Sequence, residues 1–138
     1  MKKLFNLCFA ALLVFMVAGC AVTDEARLRD SGAMLLSANE VRSTFVGNTV
    51  VTTDGMNYYF DRGGVAIAKG AYGDASKGNW NITSEGLLCL TNWNSNYAPS
   101  ECYKLFFDNV SQQRKVVDMN GKTKFTVLNI LTGNPNNF

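Results

Sequence analysis

From Asn48 onward the chain is cut into short runs by turn residues, and that rhythm decides its fold class. Thr49–Thr53 is β-branched and ends at Asp54-Gly55, a hairpin signal. Asn57–Arg62 carries Tyr58, Tyr59 and Phe60 and stops at Gly63-Gly64, and Val65–Lys69 is a third short strand. Asn79–Thr83 alternates cleanly, with Trp80 and Ile82 on one face and amides and a hydroxyl on the other. Ser84-Glu85-Gly86 then turns the chain into Leu87–Thr91. Glu101–Asp108 and Lys115–Met119 follow, and Asn120-Gly121, a type I′ turn signal, leads into Lys124–Leu131. Eight short strands at this spacing predict an all-β antiparallel meander. Closing it into a small barrel would remove the edges that an open sheet exposes. Tyr58, Trp80, Phe106 and Phe125 are expected in the core.

One helix should precede the strands. Ser37 and Glu40 have the spacing of a capping box, in which hydroxyl and carboxylate satisfy each other's orphan amides. Leu36 and Val41 sit where a hydrophobic staple needs them, Val41 and Phe45 share a face, and Gly47 suits a stop. The helix should run from about Ala38 to Val46.

The start of the chain reads as a leader. Lys2 and Lys3 precede an apolar run from Leu4 to Val17 and small residues, the layout of a secretory signal peptide. Val17-Ala18-Gly19-Cys20 also resembles the lipobox of bacterial lipoproteins, which implies cleavage after Gly19 and diacylation of Cys20. Ala21 after that cysteine, where Asp would be the alternative, resembles an outer-membrane sorting pattern, so the expected place is the periplasmic face of the outer membrane. Three segments follow: 1–19 as signal peptide, 20–34 as lipidated Cys20 and flexible tether, and 35–138 as a single barrel domain. The tether, fully extended over 21–34, reaches roughly 45 Å. Cys8 leaves with the leader and Cys20 takes the lipid. Cys89 and Cys102 remain, on consecutive strands, and an exported chain can oxidise them to a disulfide. The net charge of +2 belongs to Lys2 and Lys3. The rest is balanced and holds no basic run, which argues against a nucleic-acid partner.

Several short segments, in order, resemble a family of small exported domains of unknown function found mainly in alphaproteobacteria. They are Leu36–Val41, Phe45–Thr49, Tyr58-Tyr59-Phe60, Gly78-Asn79-Trp80, Leu88-Cys89, Cys102-Tyr103 and Gly133-Asn134-Pro135. The resemblance implies a calycin-like barrel with a disulfide and brings no activity. Gly78-x-Trp80 is also similar to the G-x-W of lipocalins and avidins, though there it lies on the first strand.

Catalytic chemistry finds little footing. The chain has no histidine, which removes Ser-His-Asp and Cys-His arrangements and the commonest zinc sites. Asp54, Asp61 and Asp74 fall in turns, where aspartate caps its own backbone. The expectation is no enzyme, no cofactor and no metal. The most suggestive stretch is the loop holding Asn92, Trp93, Asn94, Asn96 and Tyr97, where aromatic faces alternate with amides. It could contact an envelope protein or peptidoglycan. Equally, Trp93 and Tyr97 could fold back over the barrel mouth. The expected function is a non-catalytic, lipid-anchored binding or structural module of the cell envelope. One alternative is an inhibitor of a cell-wall hydrolase, like the lipid-anchored lysozyme inhibitors. Another is carriage of a small apolar ligand within the barrel.

Overall fold

A computed structural model describes residues 21–73, 75–93 and 100–138. Cys20 with its lipobox, Asp74, Asn94, Asn96 and Tyr97 lie outside the described residues. Among the described residues, two short helices, α1 (Asp24–Asp30) and α2 (Ala38–Phe45), accompany nine strands. These are β1 (Met34–Leu35), β2 (Asn48–Thr52), β3 (Met56–Phe60), β4 (Val65–Gly70), β5 (Ser76–Ile82), β6 (Leu88–Thr91), β7 (Glu101–Asp108), β8 (Gln113–Asp118) and β9 (Thr123–Thr132). β2 to β9 pair antiparallel in chain order, and the β2–β9 pairing closes them into an eight-stranded barrel. β1 is the extra strand. It pairs with β7 at Phe106 and Phe107, beyond the stretch where β6 pairs with Glu101–Tyr103. The all-β barrel expected from the period-two rhythm is therefore the fold, with one strand and one helix more than the sequence announced.

Alternation sets what fills the barrel. Val50, Phe60, Ala66, Leu88, Leu105, Val116 and Val127 form one buried cluster inside it, with Tyr58, Trp80, Phe107 and Phe125 packed against them. Lys77, Asn79 and Asn81 alternate with Gly78 and Trp80 and so face outward, exposed. An apolar interior behind such an outer face reverses the arrangement of barrels that span a bilayer. No helix among the described residues is long and apolar enough to cross a membrane.

α2 closes one end. Glu40 accepts from the Ser37 amide at 2.8 Å and the Ser37 hydroxyl accepts from the Glu40 amide, so the capping box forms as its spacing requires. The Ser37 bonds hold the Glu40 carboxyl below its ordinary range. Val41 and Phe45 are fully buried, and Phe45 meets Phe60 edge to face at 4.9 Å between centroids.

Four hairpin turns share one grammar. A Thr or Asp stands at the strand's last residue or just after it, and a glycine with positive φ follows three residues later, at Thr52/Gly55, Asp61/Gly64, Thr83/Gly86 and Asp118/Gly121. Asn120-Gly121 therefore departs from the type I′ expectation. The Gly121 amide donates to the Asp118 carbonyl and Asn120 keeps an ordinary φ, which makes a three-residue loop with Gly121 alone left-handed. The Asp118 carboxylate drives this, accepting from the Asn120 and Lys122 amides at 2.9 Å each.

One expectation needs correction. Residues 21–34, expected as a flexible tether, carry α1 and β1, both docked on the barrel. The Thr23 hydroxyl caps α1 by accepting from the Ala26 amide, and the Asp24 carboxylate accepts from the Thr123 amide. The Glu25 amide donates to the Gly121 carbonyl. Lys104 donates to both Glu25 oxygens at 2.8 and 3.0 Å, and that bond holds the Glu25 carboxyl below its ordinary range. Leu28 is the helix's one buried apolar side chain, too little for hydrophobic periodicity to register. Phe106 is in the core as expected, fully buried, but in a second cluster outside the barrel, under α1 with Leu28 and Val117. Its neighbours Leu105 and Phe107 face inward, so Phe106 must face out.

Candidate functional site

In an up-and-down barrel, alternate connections fall at the same end. The β2–β3, β4–β5, β6–β7 and β8–β9 connections therefore share the end opposite α2. Inward-facing side chains near that end form the mouth. Tyr58, Trp93 and Phe125 pack there, with Tyr58 stacked on Phe125 at 5.3 Å and tilted against Trp93 at 6.2 Å.

The position of Trp93 decides between the two readings for that side chain. It packs against the core cluster and lies directly over Gly78, itself inward-facing and buried. A Cβ at Gly78 would stand 2.5 Å from the Trp93 ring and 2.9 Å from the Thr91 carbonyl. Gly78 is thus the space that admits Trp93, and Trp93 folds back into the mouth. Asn92 is exposed, adopts a positive φ, and donates from its side chain to the Asn79 side chain at 3.3 Å. Gly78-x-Trp80 has a structural reason here that needs no lipocalin analogy. Gly78 makes room, while Trp80 points inward and donates its indole N–H to the Asp61 carbonyl at 3.0 Å.

Gly78→Ala should accordingly expel the Trp93 ring, at a cost of about 1–3 kcal/mol for the overpacked site. Tryptophan emission should shift to the red as the ring reaches water. An unshifted spectrum in a folded variant would contradict this placement.

Two tyrosine–carboxylate pairs sit at the same mouth, and the sequence reading missed both. The Tyr58 hydroxyl donates to Asp54 at 2.9 Å, and the Tyr103 hydroxyl donates to Glu101. Burial pushes both phenols up from their ordinary value, and the adjoining carboxylate adds to the effect in each. These hydroxyls stay protonated donors, committed to groups of the protein itself. The available signal was parity, since Glu101-x-Tyr103 puts acid and phenol on one face of one strand.

Of the carboxylates expected in turns, Asp54 and Asp61 perform turn chemistry. Asp54 also accepts from the Met56 amide and the Thr52 hydroxyl, and Asp61 accepts from the Gly63 and Val65 amides. Among the described residues, no group of three or more acidic or cysteine side chains could hold a metal ion.

Cys89 and Cys102 form the disulfide, between directly paired residues of β6 and β7 with Cα atoms 4.0 Å apart. It flanks the connection that leaves and re-enters the barrel at the mouth end. Clefts on the outside include one of about 480 Å³ lined by Arg27, Leu28, Asp108, Val110 and Lys115, beside α1.

One family model, described as a protein of unknown function (DUF995), matches residues 11–118, which takes in both helices and β1 to β8. Neither a curated protein nor a solved structure matches the chain.

Proposed function

The chain belongs to the DUF995 family, and from that premise we propose that it is a non-catalytic, lipid-anchored module of the cell envelope. Its acyl chains are attached to Cys20, and it contacts another envelope component through the mouth end of its barrel. The observation that carries this reading is the internal commitment of the mouth. Trp93 occupies the space over Gly78, and Asp54, Glu101, Tyr58 and Tyr103 bond one another in pairs. A site so occupied has its acids and phenols engaged, which favours contact at its rim over chemistry within.

The anchor rests on Val17-Ala18-Gly19-Cys20 behind a basic and apolar leader. Acyl chains add about 0.8 kcal/mol per buried methylene, so several of them give durable attachment. Periplasmic display on the outer membrane follows from the Ala21 pattern and is part of the proposal.

Cys20→Ser should move the protein from the membrane fraction to the soluble fraction. A photo-crosslinker at Asn92 should capture an envelope component, whereas one at Glu85, at the opposite end, should capture none. Equal yields from both positions, or membrane retention of Cys20→Ser, would overturn the corresponding half of the proposal.

A further inference from the structure

β8 stops short of the strand it lies on. Its last pair with β9 is Arg114 with Val127, whereas β2 follows β9 on the other side as far as Thr132. The chain enters β8 through Gln112, whose left-handed φ of 57° breaks the line of the strand. Among the described residues, no strand pairs with the β8 side of 128–132. The Ile130 amide donates to the Asn129 side chain at 2.9 Å, so a side chain of β9 itself caps the edge. Leu128 beside it is exposed. An edge of this kind is a template for a further strand. A cleft of about 270 Å³ separates it from the start of β8, lined by Gln113, Arg114, Leu128, Asn129 and Ile130.

Arg114 is an independent sign of a missing ligand. None of its N–H groups has an acceptor among the described residues, and its Nε is buried. Its guanidinium lies 5.8 Å from the centre of the Phe107 ring, a contact that uses the face of the group and leaves its N–H fork unmatched. Glu40 is near enough to feel the charge, but its carboxyl is held down chiefly by Ser37, and the oxygen that could turn to Arg114 accepts from the Ser37 amide and hydroxyl. A buried donor without an acceptor is costly, and the planar fork of an arginine fits a carboxylate.

Direction joins the two features. A strand added antiparallel to β9, as β8 is, continues the line of β8 and brings its carboxyl end to Arg114. A parallel strand would bring its amino end there, cation against cation. We propose that the open edge of β9 binds the carboxyl-terminal segment of an extended polypeptide as an added antiparallel strand, its terminal carboxylate on the Arg114 guanidinium. Main-chain bonds along 128–132 supply affinity for any extended sequence, and Arg114 selects for the chain end. An incoming carbonyl takes the Ile130 amide and releases the Asn129 side chain. The β5–β6 turn and Glu85 are three strands away round the barrel. This site needs neither the anchor nor the mouth contact.

The test titrates the isotope-labelled full chain with a hexapeptide of alternating valine and threonine that ends in a free carboxylate. The same peptide ending in a carboxamide is the comparison. The acid should move the Arg114 Nε–H and Ile130 amide resonances and leave those of β5, across the barrel, in place. The carboxamide should bind roughly tenfold more weakly, because it forfeits the charge-assisted bonds. Arg114→Gln should bind both peptides alike, with the affinity of the carboxamide. Should that variant fail to fold, the two peptides on wild type still decide. Equal affinity of wild type for both, movement away from 112–114 and 128–131, or no movement with either would overturn the proposal.

Discussion

Phe106→Ala is expected to lower the free energy of unfolding by about 3–5 kcal/mol, the cost of removing a fully buried phenylalanine. The effect should reach beyond the cavity, because Phe106 is what α1 sits on. Leu28 and Val117 pack against it, and the Arg29 guanidinium lies 5.0 Å from the ring centre. Without that ring, α1 retains the Glu25–Lys104 pair and its amide contacts to the β8–β9 turn. Those are partly exposed polar bonds, each contributing about 1 kcal/mol or less. The helix should therefore detach while the barrel, whose interior cluster does not include Phe106, stays closed. Trypsin provides the check, since Arg27 and Arg29 are both on α1. Wild type should resist cleavage there and Phe106→Ala should be cut before the barrel unfolds. Equal resistance in both would show that the outer cluster does not hold the helix.

Replacing both Cys89 and Cys102 by serine should cost about 3 kcal/mol, from the loop that a bridge of this separation closes. For a domain of this size that corresponds to roughly 10–15 °C in Tm. Two features make the effect local as well as global. The bridge joins paired residues and so fixes the register of β6 against β7, and β6 is only four residues long. A one-residue slip would turn Leu88 and Leu90 out of the barrel. Calorimetry reads the first effect and hydrogen exchange of 88–91 the second. A double variant with an unchanged Tm would refute both.

What the sequence made legible was local. Glu101–Asp108 keeps its expected bounds, and the Ser37/Glu40 box starts α2 at Ala38, because both signals lie within a few neighbouring residues. What it hid was non-local. The partners of α1 lie at Lys104, Phe106, Gly121 and Thr123, so no window around Asp24–Asp30 contains the reason it docks. The place of Trp93 was hidden for a different reason. Tryptophan among asparagines has the same composition whether the ring meets a partner or folds inward, and the deciding residue, Gly78, lies on another strand. Asn120-Gly121 names a turn but not its type, which Asp118 settles from outside the dipeptide.

The seam of the barrel has a consequence for how the protein is made. β2 can be sealed only by β9, and Thr49 reaches its hydroxyl to the carbonyl of Gly133. Asp24 waits for Thr123. A chain threaded out amino end first thus delivers its earliest residues long before their mates arrive. Its final strand is the fastener, and until that strand emerges everything ahead of it hangs open to proteases and chaperones.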